Sequence, residues 1–173
     1  MTGKAKVIAF ANQKGGVAKT TTTLNLAVAF VEKGFRVLCI VMDPQGNLTM
    51  SQGIDPDSLE VSMYDVLVHD LSIREVIRKR EIDIACASID LAGAEIAMST
   101  KIGRERSLQK AFKAIEILEE NFGDRVFASR IKKTIRFAEA PVKGMSVLKY
   151  DPDGMAAQSY RDLAKEVLDG TRS

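Results

Sequence analysis

A single heptapeptide near the start of the chain limits its possible folds more than any other feature: Lys14-Gly15-Gly16-Val17-Ala18-Lys19-Thr20. Residues 6–11 (KVIAFA) precede it and read as a short, apolar, β-branched strand. Residues 20–33 follow and read as a helix, with Leu24, Ala27, Val28 and Val31 on one face and Gly34 just past its end. A second apolar run, 36–42 (RVLCIVM), completes a strand–helix–strand unit. That order predicts a parallel sheet covered by helices, an α/β architecture.

A glycine-rich turn between a buried strand and a helix is a phosphate-binding device. Successive backbone N–H groups point inward, and the helix N-terminus adds a partial positive charge. The common pattern G-x-x-x-x-G-K-[ST] is not met, because Gln13 and Ala18 stand at its two glycine positions. The variant K-G-G-x-x-K-[ST] is met at every position. A lysine-rich turn before a helix is the plain structural alternative, but it does not account for the whole string.

The remaining elements are read from periodicity. Short helices are predicted over 63–68 and 73–80, with a strand over 82–87. Leu108, Ala111, Phe112, Ile115, Leu118 and Phe122 mark a long amphipathic helix over 104–122, stopped by Gly123. A strand is expected over 125–129. A last helix over 154–168 carries Ala157, Tyr160, Leu163, Ala164, Val167 and Leu168 on its inner face, with Asp151 or Asp153 near its start. No repeats or linkers interrupt the 173 residues, so residues 1–173 read as one domain.

Composition excludes several classes. With 46% hydrophobic and 28% charged residues, the chain has ordinary globular proportions. No apolar run approaches a bilayer span and no signal-peptide core follows the first residues, so a cytoplasmic, non-membrane protein is expected. Cys39 and Cys86 sit in apolar runs and match no metal spacing, which predicts buried, reduced thiols. His69, the one histidine, has no ligand cluster around it and reads as a surface helix end.

The net charge of +2 conceals an uneven distribution. Between 130 and 149 six bases (Arg130, Lys132, Lys133, Arg136, Lys143, Lys149) face one acid, Glu139. Lys101, Arg104, Arg106, Lys110 and Lys113 form a second group. Two readings stand side by side: solvated faces, or a footprint for a nucleic-acid backbone.

The heptapeptide, "MDPQGN" at 42–47, "IDLAGAEIAM" from Ile89, "IRFAEAPVKGMSVLKYDP" from Ile135 and "YRDLAKEV" from Tyr160 together resemble the deviant-Walker ATPases. Within them the ParA/Soj partitioning proteins are the similar branch, with MinD as a cousin. The resemblance implies a P-loop NTPase-like fold of the SIMIBI class, layered, with a shortened, mainly parallel sheet flanked by helices. It implies ATP or ADP with Mg²⁺ as cofactors, held by Lys14, Gly15, Gly16, Val17, Ala18, Lys19, Thr20 and Thr21. Lys19 would reach the β- and γ-phosphates, and Thr20 would ligate Mg²⁺. Thr21 would contact the α-phosphate. Lys14 would cross a dimer interface to the partner's nucleotide. Asp43 would orient the attacking water beside the metal, with Gly46 and Asn47 in a γ-phosphate-sensing loop. Positioning and charge neutralisation are what phosphoryl transfer asks of a protein.

The same resemblance implies a homodimer, non-specific DNA contact through Arg130, Lys132, Lys133 and Arg136, nucleoid association, and a ParB-like centromere-binding partner. The acidic residues of the last helix (Asp162, Glu166, Asp169) argue against the basic membrane-targeting helix of MinD. One family feature has no counterpart: the apolar strand ending in D-T-P-P, whose aspartate supports the metal shell. The resemblance breaks near 112/113, as though an internal segment were deleted. Weak ATP hydrolysis is therefore expected, as is a dimer with exchanged elements that covers the shortened sheet. The alternative is a catalytically dead nucleotide-binding protein that regulates a full-length relative.

Overall fold

The computed structural model describes residues 6–12, 14–99, 129, 131–132 and 134–170. The long helix expected over 104–122, its basic residues Lys101, Arg104, Arg106, Lys110 and Lys113, and most of the strand expected over 125–129 lie outside the described residues. So do Gln13, Arg130 and Lys133.

The phosphate-loop helix α1 spans Lys19–Glu32. Its stop is the expected one: Gly34 adopts φ +84°, a left-handed backbone that costs glycine little. Its buried surface is wider than a single stripe. Every residue from Leu24 to Ala29 is buried, whereas Val31, expected on the inner face, is exposed. The cause is tertiary, since the C-terminal helix α7 (Met155–Gly170) packs along α1 in addition to the sheet.

Strand β1 (Leu38–Ile40) follows α1. Next come α2 (Asn47–Ser51) and α3 (Met63–Val68), the latter opened by a capping box in which Ser62 and Asp65 satisfy each other's backbone N–H groups. The helix expected over 73–80 is instead a 3₁₀ turn, Ile73–Glu75, leading into strand β2, Ile77–Lys79. Ile73 and Ile77 mimic helical spacing, but Val76 is fully buried and its carbonyl accepts a bond from Cys86 N (3.3 Å). A tight reversal at Arg80, whose N–H donates to the Ile82 carbonyl, returns the chain as β3 (Asp83–Ala85).

β3 is central. It pairs parallel with β1 (Cys39 opposite Ile84) and antiparallel with β2 (Arg78 opposite Ile84). The expected parallel pairing holds for β1 and β3, and the β2 hairpin makes the sheet mixed. Residues 84–87 are all fully buried. Residues 6–11, expected as a buried strand, run without ladder pairing, with Val7 58% and Ile8 48% exposed. None of the described strands pairs with this segment, so its β-branched sequence lacks the ladder a strand requires.

A 3₁₀ turn (Ile89–Gly93) and α4 (Ala94–Ala97) end the first part of the chain. The C-terminal part comprises α5 (Arg136–Val142), α6 (Val147–Tyr150) and α7. Three of the contacts that bind it to the rest follow. Asn25, 3% exposed, accepts a 2.7 Å bond from Val147 N at the start of α6. Arg161 grips Glu32 through two nitrogens at 2.7 and 2.9 Å, which holds the Glu32 carboxyl below the usual carboxylate range. Gly53 and Gly144, both at positive φ, touch backbone to backbone. A Cβ on Gly144 would lie 3.0 Å from Gly53 Cα. Within the C-terminal part, Ser129 gives Glu166 of α7 both its N–H (2.9 Å) and its hydroxyl (2.6 Å).

Both cysteines are buried free thiols, as expected. Burial pushes the Cys39 thiol up to about 12, which keeps it protonated and unreactive. His69 caps the end of α3, exposed, with Nδ1 3.1 Å from Asp65. Among the described residues no helix is long and apolar enough to cross a membrane.

Candidate functional site: a phosphate loop at the head of α1

The loop from Lys14 to Ala18 is exposed and makes two sharp turns. Gly16 takes φ +70°, which glycine tolerates. Ala18 takes φ +59°, an uncommon left-handed backbone for a residue with a Cβ, and it is the N-cap of α1. No side chain caps this helix end. The first helical bond runs from Thr22 N to the Ala18 carbonyl (2.9 Å), so the N–H groups before it have no helical partner of their own. Upstream, the Asn12 side chain accepts from Lys14 N (2.8 Å) and fixes the entry to the loop.

Lys19 folds back over the loop, its Nζ donating to the Lys14 carbonyl at 3.1 Å. The ammonium thus sits over the turn that contains Gly15 and Gly16. A Cβ added at either glycine would meet nothing within 4 Å, so the space beside them is open. A cleft of about 200 Å³ lies alongside, lined by Phe10, Ala11, Asn12, Val17, Ala18, Lys19 and Thr22. The threonines of α1 divide in their commitments. Thr23 Oγ1 donates to the Lys19 carbonyl (2.9 Å), and Thr22 Oγ1 meets Tyr160 Oη (3.4 Å). The Thr20 and Thr21 hydroxyls, half-buried in the first turn, bond to none of the described residues. The two side chains expected to serve the metal and the α-phosphate are thus the uncommitted ones.

Asp43 lies in the loop after β1. Its two carboxylate oxygens accept from its own loop: Oδ1 from Gln45 N (3.0 Å) and Oδ2 from Asn47 Nδ2 (3.1 Å). Its carbonyl accepts from Gly46 N (2.9 Å). Gly46 needs glycine, because it holds φ +60° and a Cβ there would sit 3.1 Å from the Ala87 carbonyl. The loop is therefore a built, self-bonded unit seated just past the end of β3. Lys14 is exposed.

The basic candidates divide differently. Lys132 is exposed. Arg136 is tied to Glu139 (2.8 Å) and Asp151 (3.4 Å), and its guanidinium lies 5.8 Å from the centre of the Tyr150 ring. Its charge is largely answered within the fold. Two polar links to the phosphate-loop helix are invisible in the sequence. Asn25 carries no mark of its bond to Val147, and the apolar spacing that places Tyr160 on an inner face says nothing of its hydroxyl. Their partners lie 122 and 138 residues away, so no local pattern reveals them.

Comparison with known proteins agrees with this geometry. Residues 5–121 match the AAA domain family. Soj of Bacillus subtilis, a sporulation initiation inhibitor protein, is 29% identical over 247 aligned positions, which cover 94% of this chain and 98% of Soj. Cobyrinic acid a,c-diamide synthase of Mycobacterium smegmatis, solved with an ATP analogue and magnesium, superposes with a TM-score of 0.58 at 46% identity. That match covers 60% of this chain and 43% of the synthase. The cell division ATPase MinD of Pyrococcus furiosus has the same fold (TM-score 0.68, 18% identity, 92% of this chain and 97% of that one). The fold is thus the layered α/β fold of SIMIBI-class P-loop NTPases, and the chain belongs to the ParA/MinD-type P-loop ATPases.

Proposed function

We propose that the chain is a ParA/Soj-like protein of chromosome or plasmid partitioning, which binds ATP or ADP with Mg²⁺ and works as a dimer on DNA. The observation that carries this reading is the loop itself. The complete K-G-G-x-x-K-[ST] string turns through Gly16 and Ala18 onto the head of a 14-residue helix, with a lysine folded over it and two uncommitted hydroxyls beside it. These residues fit a polyphosphate and a hard cation. Backbone N–H groups and Lys19 would hold the phosphates, Thr20 would offer an oxygen to Mg²⁺, and Thr21 would meet the α-phosphate. Magnesium, when bound, neutralises charge on the phosphate oxygens. Titration calorimetry with ATP and ADP in the presence of Mg²⁺ tests this reading, and heats no larger than dilution would refute it.

The partitioning branch is supported by coverage. The match to Soj extends over 98% of that protein, whereas the synthase is matched over 43% of its length. The Soj alignment also takes 247 positions for a chain of 173 residues, which supports an internal gap relative to full-length members. The second reading is a nucleotide-binding protein without turnover that regulates a full-length relative. What favours it is that no counterpart of the D-T-P-P strand stands in the sequence. A ParB-like partner and a nucleoid-associated, cytoplasmic location belong to the first reading.

A dimer without nucleotide is expected from the sheet. Leu38 and Met42, in and just beyond the edge strand β1, are 39% and 47% exposed, and Val7 and Ile8 are unladdered. Large apolar side chains left in water forgo roughly 1.5–3 kcal/mol each, a large share of a small domain's stability. Exchange of elements between two chains would recover that burial. Light scattering on the nucleotide-free protein should give twice the chain mass, and a stable monomer at micromolar concentration would end the idea.

DNA contact is proposed through Arg130, Lys132, Lys133 and, more weakly, Arg136, whose charge Glu139 and Asp151 already engage. Changing Lys132 and Lys133 to Glu should weaken every duplex alike. It should also flatten the salt dependence, because two fewer phosphates would be neutralised and fewer counterions released on binding. Unchanged affinity in that double variant would return the cluster to a solvated surface.

A further inference from the structure

Two polar side chains of α1 reach back along the helix, and Thr22 between them does not. Thr23 reaches back four residues to the Lys19 carbonyl at 2.9 Å, and Asn25 reaches back four to the Thr21 carbonyl at 2.7 Å. The corresponding carbonyl for Thr22 belongs to Ala18, the left-handed joint between loop and helix. Thr22 is engaged elsewhere. Its Oγ1 meets the hydroxyl of Tyr160 on α7 at 3.4 Å. Tyr160 is 1% exposed, and its ring stands edge-on to Phe137 with centroids 5.9 Å apart. The phenol has little freedom to move.

We propose that Tyr160 is a positioning residue for nucleotide binding, acting through Thr22 on the backbone of Ala18. A helical threonine whose hydroxyl lacks another partner can bond the carbonyl four residues back, as Thr23 does, and such bonds often bend the helix. At Thr22 that acceptor is the Ala18 carbonyl, which already takes the first helical N–H bond from Thr22 N. A second donor would pull on a joint whose left-handed backbone persists only while its surroundings hold it. The Ala18 joint sets where the loop N–H groups point. With the Thr22 hydroxyl donating to Tyr160 Oη, the Ala18 carbonyl keeps a single donor and the loop stays aimed at its phosphates. Burial raises the Tyr160 phenol above its ordinary value, so it remains a neutral hydroxyl throughout the working range. The inference rests on the nucleotide-binding reading above.

The test compares wild type, Tyr160→Phe, Thr22→Val and the double variant, by titration with ADP and Mg²⁺ and by thermal unfolding. Tyr160→Phe should weaken binding about three- to tenfold, the scale of one hydrogen bond, at a temperature where both proteins are fully folded. Adding Thr22→Val should recover most of that loss, because a valine has no hydroxyl to turn onto Ala18. A purely structural tyrosine would lower the unfolding temperature and leave the affinity of the folded protein unchanged. Equal affinity in Tyr160→Phe and wild type, or a double variant weaker than either single one, overturns the proposal. Wild type that binds no ADP overturns the underlying reading instead, and the two failures are distinguishable because that loss precedes any substitution.

Discussion

Lys19→Ala is expected to lower affinity for ATP and ADP by roughly a hundredfold or more. Among the described residues its ammonium is the one placed over the Gly15–Gly16 turn, 3.1 Å from the Lys14 carbonyl. A hydrogen bond to a charged group contributes about 1.5–3 kcal/mol, and a lysine meeting two phosphates makes at least two, with every 1.4 kcal/mol worth about tenfold. Alanine preserves helix propensity at the first position of α1, so the loss should be read in binding rather than in folding. Calorimetry on both proteins, with unfolding curves in parallel, checks it. Equal affinity would mean that the nucleotide, if bound, sits elsewhere.

The second large effect concerns turnover. The wild-type chain is expected to hydrolyse ATP at least roughly a hundredfold more slowly than the ~10 s⁻¹ of a median enzyme. Asp43 is the residue proposed to orient a water, but both of its oxygens already serve its own loop. Without the aspartate that family members carry in the D-T-P-P segment, the metal's charge would be less firmly positioned. Phosphate release at saturating ATP measures it. A rate equal to that of a full-length relative, abolished by Lys19→Ala, would show that another residue has taken over the missing role.

Local chemistry made part of this molecule legible in sequence. The phosphate loop was readable because its demands are local: glycine where the backbone turns, lysine and threonine at fixed offsets. Helix α3 was read at its observed bounds, and α7 through its apolar spacing. Where the reading failed, a distant partner had decided the outcome. Residues 77–79 are a strand because β3 lies beside them, and 6–11 lack strand pairing because no described strand does. Asn25 looks like an ordinary polar residue on a helix, yet the fold buries it to hold the first turn of α6.

The meeting of Gly53 and Gly144 has a consequence for how this protein can vary. Gly53 follows α2, the short helix that continues the Asp43 loop, and Gly144 sits between α5 and α6. Their bare backbones touch, with only 3.0 Å between Gly53 Cα and the place where a Cβ on Gly144 would be. A side chain on Gly144 demands room that the Gly53 backbone occupies, while Gly53 is held to glycine by its φ of +68°. For an engineer the contact is a seam. A wedge inserted there would pry the nucleotide-facing half from the C-terminal half while every atom proposed to meet phosphate stays chemically intact. Variants at this seam would therefore separate what the two halves do in concert from what each does alone.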